Sequence, residues 1–243
     1  MKTKVWAHRG ASAYAPENTL EAFKLAVDMK AEGVELDVHL SADGELMVGH
    51  DETVDRCSDG TGMICQMTCA QLKELDFGVR FPQYRGAEMP TLEEVYRLLK
   101  PAGLFINIEI KSLPNIYEGI EQKLDKLATA MGMQDRIIYS SFDHYTLVEM
   151  RRINPAVPLG ILYSHGEYEP WKYAAAMGVN ALHPWYPSLK RPVVPGSQAA
   201  GIAVHPWTVD GEQELAWMYR LGVEAVISNK PDVALRVRGQ VQS

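Results

Sequence analysis

Short apolar runs alternate with segments of helical period along almost the whole chain, and this rhythm constrains the fold more than any other feature. The runs are marked by Val5, Val34, Leu104, Ile137, Val157, Asn180, Ile202 and Ala225. Lys4 to Ala7 reads as a strand, after which Leu20, Phe23, Ala26 and Val27 share one helical face. Pro16 and Asn18 suit the start of that helix, and Gly33 suits its break ahead of a strand from Val34 to Leu40. Pro90-Thr91-Leu92-Glu93-Glu94 predicts a capped helix running to Lys100, stopped by Pro101 and Gly103 before a strand from Leu104 to Ile110. The remaining helices read as 117–131, 145–153, 171–177, 195–200, 213–221 and 231–237. Between them lie strands 136–140, 157–162, 180–183, 202–205 and 225–228. Gly132, Gly178, Gly201 and Gly222 each fall between a helix and the next strand, where a left-handed residue commonly ends a helix.

Eight β units with intervening helices predict an α/β fold, a closed (β/α)8 TIM barrel, in preference to an open doubly wound sheet. Residues 1–243 are then one domain, since such barrels run to about 250 residues. Residues 51–88 are rich in Gly, Asp and Cys and lack the rhythm. They read as an insertion after the second strand, on the face where barrel active sites form.

The chain carries 24 basic and 31 acidic side chains, a net charge of −7. An acidic chain has no global attraction for a phosphate backbone, so nucleic acid is not an expected partner. An anionic substrate must be held by a few placed cations or a metal. No apolar stretch of ~7–15 residues follows the two early lysines, so no secretory leader is expected. No run of ~18 apolar residues occurs, so no spanning helix is expected either. Cys57, Cys65 and Cys69 are odd in number and too few for a disulfide framework, which favours a reducing cytoplasm, and as a zinc site they lack a fourth ligand at familiar spacing.

The strongest local signal is Glu35-Leu36-Asp37. Alternation along a strand puts both carboxylates on one face, about 6.7 Å apart along the backbone. Either they lie on a solvated edge or a hard divalent cation sits between them. Glu109 and Lys111 share a face in the same way at the end of the third strand. They form either a buried ion pair, or a third metal ligand beside a cation that neutralises a phosphate oxygen. His8 and His50 each follow an apolar run, where barrel strands deliver side chains to the mouth. One histidine is ordinarily filler, but two beside an acidic pair can serve as acid and base in one turnover. Arg9 can grip two phosphate oxygens with its planar fork.

In order, His8-Arg9-Gly10, Pro16-Glu17-Asn18-Thr19, Glu35-Leu36-Asp37, His50-Asp51 and Glu109-Ile110-Lys111 resemble the glycerophosphodiester phosphodiesterases, in particular their bacterial cytoplasmic type. The resemblance continues through Arg56, Gly60-Thr61-Gly62, Leu72 and Leu75-Asp76-Phe77-Gly78 to Met89-Pro90-Thr91-Leu92-Glu93-Glu94. Ser140-Ser141-Phe142 and Trp207-Thr208-Val209 look like later family elements, at the ends of the fourth and seventh strands. The resemblance implies one divalent cation, Ca²⁺ or Mg²⁺, held by Glu35, Asp37 and Glu109, with His8 and His50 as the acid/base pair. Arg9 and Lys111 would hold the phosphate and Trp207 would line the pocket for glycerol. Glu17 and Asn18 would organise the loop after the first strand, or else simply cap the following helix. The implied substrate is a small glycerophosphodiester, cleaved to glycerol 3-phosphate and an alcohol; a homo-oligomer is left open.

Two departures stand out. Many relatives have Asn after Trp-Thr-Val, where this chain has Asp210. Many have Thr-Asp before the final x-Pro, where it has Ser228-Asn229-Lys230-Pro231. His39, His144, His165, His183 and His205 match no catalytic position, although the last two end strands and can face the pocket. A phospholipase D- or sphingomyelinase D-like lipid phosphodiesterase would share the site but need an apolar patch or basic lip, which the acidic balance disfavours. A non-catalytic glycerophosphodiester-binding protein would have lost part of the histidine pair or acidic triad, and every one of those positions is filled.

Overall fold

The computed structural model describes residues 2–112, 117–190 and 192–242. Its first half contains β1 (Lys4–His8), α1 (Leu20–Asp28), β2 (Gly33–Leu40), β3 (Leu46–Val48), α2 (Cys69–Lys73), α3 (Leu92–Leu99), β4 (Phe105–Ile110) and α4 (Ile120–Met131). The second half contains β5 (Ile137–Ser141), α5 (His144–Ile153), β6 (Leu159–Tyr163), α6 (Pro170–Met177), β7 (Ala181–Pro184) and α7 (Val193–Ala199). It closes with β8 (Ala203–Val204), α8 (Glu212–Leu221), β9 (Ala225–Ser228) and α9 (Pro231–Val241). Eight strands pair in parallel in the order β8-β7-β6-β5-β4-β2-β1-β9. Between β9 and β8, Ile227 N–H donates to Pro206 O at 3.0 Å and Val209 N–H to Ile227 O at 2.9 Å, which brings the ring round. This is the (β/α)8 barrel.

Several boundaries differ from the sequence reading, each for a local reason. Leu46–Val48 is a ninth strand, antiparallel to β2, which carries the chain back along the barrel rim. Gly33 does not break a helix. It begins β2, where a Cβ would approach the Trp6 indole to 2.6 Å. Helix α1 is capped by the Thr19 hydroxyl, which accepts from Ala22 N–H, leaving Asn18 free of that duty. Pro195 does not start α7 but sits in its first turn, where no intrahelical N–H is needed. Asn180 precedes β7, its side-chain oxygen accepting from Leu159 N–H at 3.0 Å.

Alternation sorts the barrel residues. Val5, Ala7, Val34, Leu36, Val38, Ile106, Ile108 and Ile110 face outward and pack with the helices into one buried cluster. Trp6, Ile138, Ala181, Ala225 and Ile227 fill the interior. The inward positions nearer the mouth are polar. His183 and His205, expected to be able to face the pocket, are instead sealed in the barrel: His205 Nδ1 lies 3.0 Å from His183 Nε2, and Trp6 packs on His205 with ring centroids 4.5 Å apart.

An N–H···N bond between two rings needs at least the accepting ring neutral, and burial holds both down, His183 well below the ordinary range and His205 to about 3. The unfolded chain protonates these rings near 6.5 and the folded chain resists, so their stabilisation is complete above that pH and is lost as pH falls toward 3. Replacing His205 with Gln should flatten the pH dependence of urea unfolding between pH 4 and 6 by up to ~1.4 kcal/mol per pH unit, one proton's worth. An unchanged slope would contradict the pair's role.

Candidate active site

Pairing register builds the acidic centre. Along β1, β2 and β4, His8 lies opposite Glu35 and Asp37 opposite Glu109. All four are inward positions at the same end of the barrel, so the two acidic strands converge rather than merely run side by side. One oxygen each from Glu35, Asp37 and Glu109 lies within 4.8 Å of the others, and all three residues are buried. Lys111 Nζ stands 2.7 Å from Glu109 Oε1 and 3.1 Å from Asp37 Oδ1, and Arg9 Nε stands 3.4 Å from Asp37 Oδ2. Asn18 Nδ2 donates to Asp37 Oδ2 at 2.9 Å. Against the cost of its burial, Asp37 is therefore held far below the usual carboxylate range by Lys111 and Arg9. Burial and the neighbouring Asp37 charge push Glu35 well up, and burial raises Glu109.

The loop after β1 aims these groups. Arg9 and Asn18 are both left-handed, at φ 54° and 59°, a conformation that costs a non-glycine residue roughly 1–2 kcal/mol. Tertiary contacts hold it: Arg9 N–H donates to Glu35 O, and Asn18 N–H to Arg9 O. Gly10, at φ 78°, presses on Ala22, where any Cβ would meet backbone at 2.6 Å.

The two histidines are held from opposite sides by different chemistry. His8 Nδ1 lies 2.7 Å from Asn229 Oδ1, and Asn229 Nδ2 donates to Asp210 Oδ2 at 2.6 Å. Burial, with help from the Arg9 charge, lowers His8 to about 4, so it is neutral at pH 7. His50 Nδ1 donates to Asp51 Oδ1 at 2.6 Å. Arg56 reaches across from the segment after β3 to clamp Asp51 Oδ2 at 2.5 Å and Glu17 at 2.7 Å. Glu17 also accepts from Arg9 at 2.8 Å. An unbroken chain of alternating charge thus runs Asp37–Arg9–Glu17–Arg56–Asp51, with His50 at its far end. These contacts hold Glu17 and Asp51 at about 2, in both cases against the cost of burial. His39, buried beneath, donates from Nε2 to His50 O at 3.2 Å.

A cavity of about 230 Å³ opens on this arrangement, lined by His8, Arg9, Glu35, His50, Glu109 and Trp207 among others. Trp207 Nε1–H donates to His183 O, which fixes the indole as a wall. Asp37 and Lys111 do not line the cavity but stand against Arg9 and Glu109, and Glu17 and Asn18 stand behind Arg9 and Asp37. Every residue given a catalytic, binding, metal or supporting role in the sequence therefore lies on this cavity or against a residue that does. Sequence reasoning did not assign Asp51, Arg56, Asp210 and Asn229. Asp51 adjoins a candidate histidine and Arg56 fell in the family-like insert, whereas Asp210 and Asn229 stood out only as departures. The donor set fits a hard divalent cation: three oxygens converge, and buried Asp37 Oδ1 accepts no aligned hydrogen bond despite the nearby ammonium.

Comparison with known proteins identifies the family. The model of the glycerophosphoryl diester phosphodiesterase family matches residues 8–233. A glycerophosphodiester phosphodiesterase of Caldanaerobacter subterraneus is 41% identical over 238 residues, 98% of each chain. An Oleispira antarctica phosphodiesterase, solved in complex with the product sn-glycerol-3-phosphate, superposes with a TM-score of 0.87 at 29% identity, covering 100% of this chain and 98% of that one. A glycerophosphodiester phosphodiesterase from Agrobacterium tumefaciens gives 0.84 at 29% identity, covering 98% and 99%. By its sequence and its barrel alike, the chain belongs to the glycerophosphoryl diester phosphodiesterase family.

Proposed function

We propose that this phosphodiesterase hydrolyses glycerophosphodiesters to glycerol 3-phosphate and a free alcohol, with one divalent cation, Ca²⁺ or Mg²⁺, and with His8 and His50 as base and acid. The observation that carries this reading is the convergence of a carboxylate trio at the edge of a cavity that two imidazoles line. The product seen in the Oleispira protein supports a small glycerol-bearing ligand for this cavity too. Glu35, Asp37 and Glu109 would hold the cation, which when bound supplies electrostatic stabilisation of charge growing on the phosphate.

His8 accepts a proton. Its Nδ1 faces an amide oxygen, so that nitrogen carries the hydrogen and Nε2 presents its lone pair. His50 donates one. Its Nδ1–H is bound by Asp51, which orients the ring and gives an imidazolium, when formed, an anionic partner. Arg9, fixed by Glu17, offers its planar fork to the phosphate, and Lys111 adds a second positive charge behind the carboxylates. Trp207 presents a flat wall to the glycerol moiety. Glu17 and Asn18 support this arrangement by holding Arg9 and Asp37.

A neighbouring cavity of about 440 Å³ shares Phe142 and Leu162 with the first and is walled by Tyr163, Tyr168 and Tyr173. It gives the alcohol half of the diester room beside the reacting phosphate. Residues 1–243 act as one catalytic domain with 51–88 as an insertion in it, and the enzyme works in the cytoplasm. Among the described residues no helix is long and apolar enough to cross a membrane.

Release of glycerol 3-phosphate from glycerophosphocholine, glycerophosphoethanolamine and glycerophosphoinositol tests the reading directly. His8→Ala and His50→Ala should each lose at least ~10²-fold in kcat, the usual worth of a placed acid or base, and near-normal turnover would remove that role. Treatment with EDTA should abolish activity, and added Ca²⁺ or Mg²⁺ should restore it; indifference to the chelator would remove the cation.

A further inference from the structure

The two departures from the family pattern meet in space. Asp210 and Asn229 face each other at the mouth, with three hydrogen bonds converging on the Asp210 carboxylate: Asn229 N–H at 2.8 Å, Asn229 Nδ2 at 2.6 Å and Ser228 Oγ at 2.9 Å. We propose that Asp210 and Asn229 are positioning residues that lock His8 in its Nδ1–H tautomer, and that exchanging the acid and the amide between the two positions preserves the lock. The inference rests on the reading of His8 as the base.

Each step follows from what the groups can donate. A carboxylate only accepts, so Asn229 must turn its NH₂ to Asp210 and its oxygen to His8. That oxygen only accepts, so His8 Nδ1 must carry the proton and Nε2 is left with its lone pair for the cavity. Ser12 Oγ, 2.7 Å from the same Asn229 oxygen, adds a second contact on that side. With Asp at 229 and Asn at 210, donors and acceptors match again in the same sense. Either single change mismatches them. In Asn229→Asp two carboxylates meet with no proton between them. In Asp210→Asn the amide at 229 can turn over, present NH₂ to His8 and drive the proton onto Nε2.

The test is a double-variant cycle on the full chain, D210N, N229D and D210N/N229D, with glycerophosphocholine as substrate. Each single variant should lose about 10–100-fold in kcat with KM within ~2-fold, and the exchange should return kcat to within ~3-fold of the parent. A long-range ¹H–¹⁵N spectrum, with His8 assigned by its loss in His8→Gln, should show Nδ1–H in the parent and the double variant but not in D210N. Thermal melts identify any variant that fails to fold, and the spectrum of the parent protein tests the lock without any variant. An Nε2–H tautomer in the parent, parent-level kcat in both single variants, or a double variant no better than the worse single would each overturn the proposal. A parent that releases no glycerol 3-phosphate would instead refute the phosphodiesterase reading, leaving the spectrum as the measure of the lock.

Discussion

Three carboxylates buried at one end of a barrel cannot all hold charge unaided. At separations under 4.8 Å, each like-charged pair costs roughly 3 kcal/mol even at an effective dielectric near 20. Three such pairs approach the ~5–15 kcal/mol that stabilises a whole domain. The polar architecture around them answers that cost. Lys111 stands between Asp37 and Glu109, Arg9 against Asp37, and Asn18 donates to the same carboxylate. Two positive charges still leave three negative ones undercompensated, and burial together with the neighbouring Asp37 charge raises the Glu35 and Glu109 carboxyls. The divalent cation proposed above would supply what the side chains do not.

The same economy of charge sets the two histidines apart. His8 is buried against a neutral amide, and His50 rests on a carboxylate that Arg56 clamps. Arg56 belongs to the segment between β3 and α3, which has its own apolar base of Met47, Val54, Ile64, Leu72, Phe77 and Met89. That base gives Arg56 a firm footing from which to reach Asp51 and Glu17. The segment therefore contributes to the site through the charge chain that ends at His50, not as a cover over the mouth.

The barrel was legible because its signals are local and repeated: period-two apolar runs, capped helices and glycine stops at α4, α6 and α8. The site was legible where chemistry falls on neighbouring positions of one strand, as in Glu35 and Asp37, or beside a motif histidine. Convergence of Glu109 with them depends on strand register, which residue spacing alone does not state. Relations across 39 residues (Glu17 with Arg56) or 221 residues (His8 with Asn229) left no local trace. Asp210 and Asn229 were visible only as exceptions, and their meaning needed the fold to bring them face to face. β3 escaped notice because a three-residue run is too short to mark an antiparallel return.

The central claim is that Glu35, Asp37 and Glu109 converge on a single ion. Calorimetric titration of chelator-stripped protein with Ca²⁺, run beside a folded Glu35→Gln variant, tests it most directly. The account predicts saturable uptake of one ion per chain that the variant loses. Absence of saturable uptake, or uptake that Glu35→Gln leaves unchanged, would contradict it.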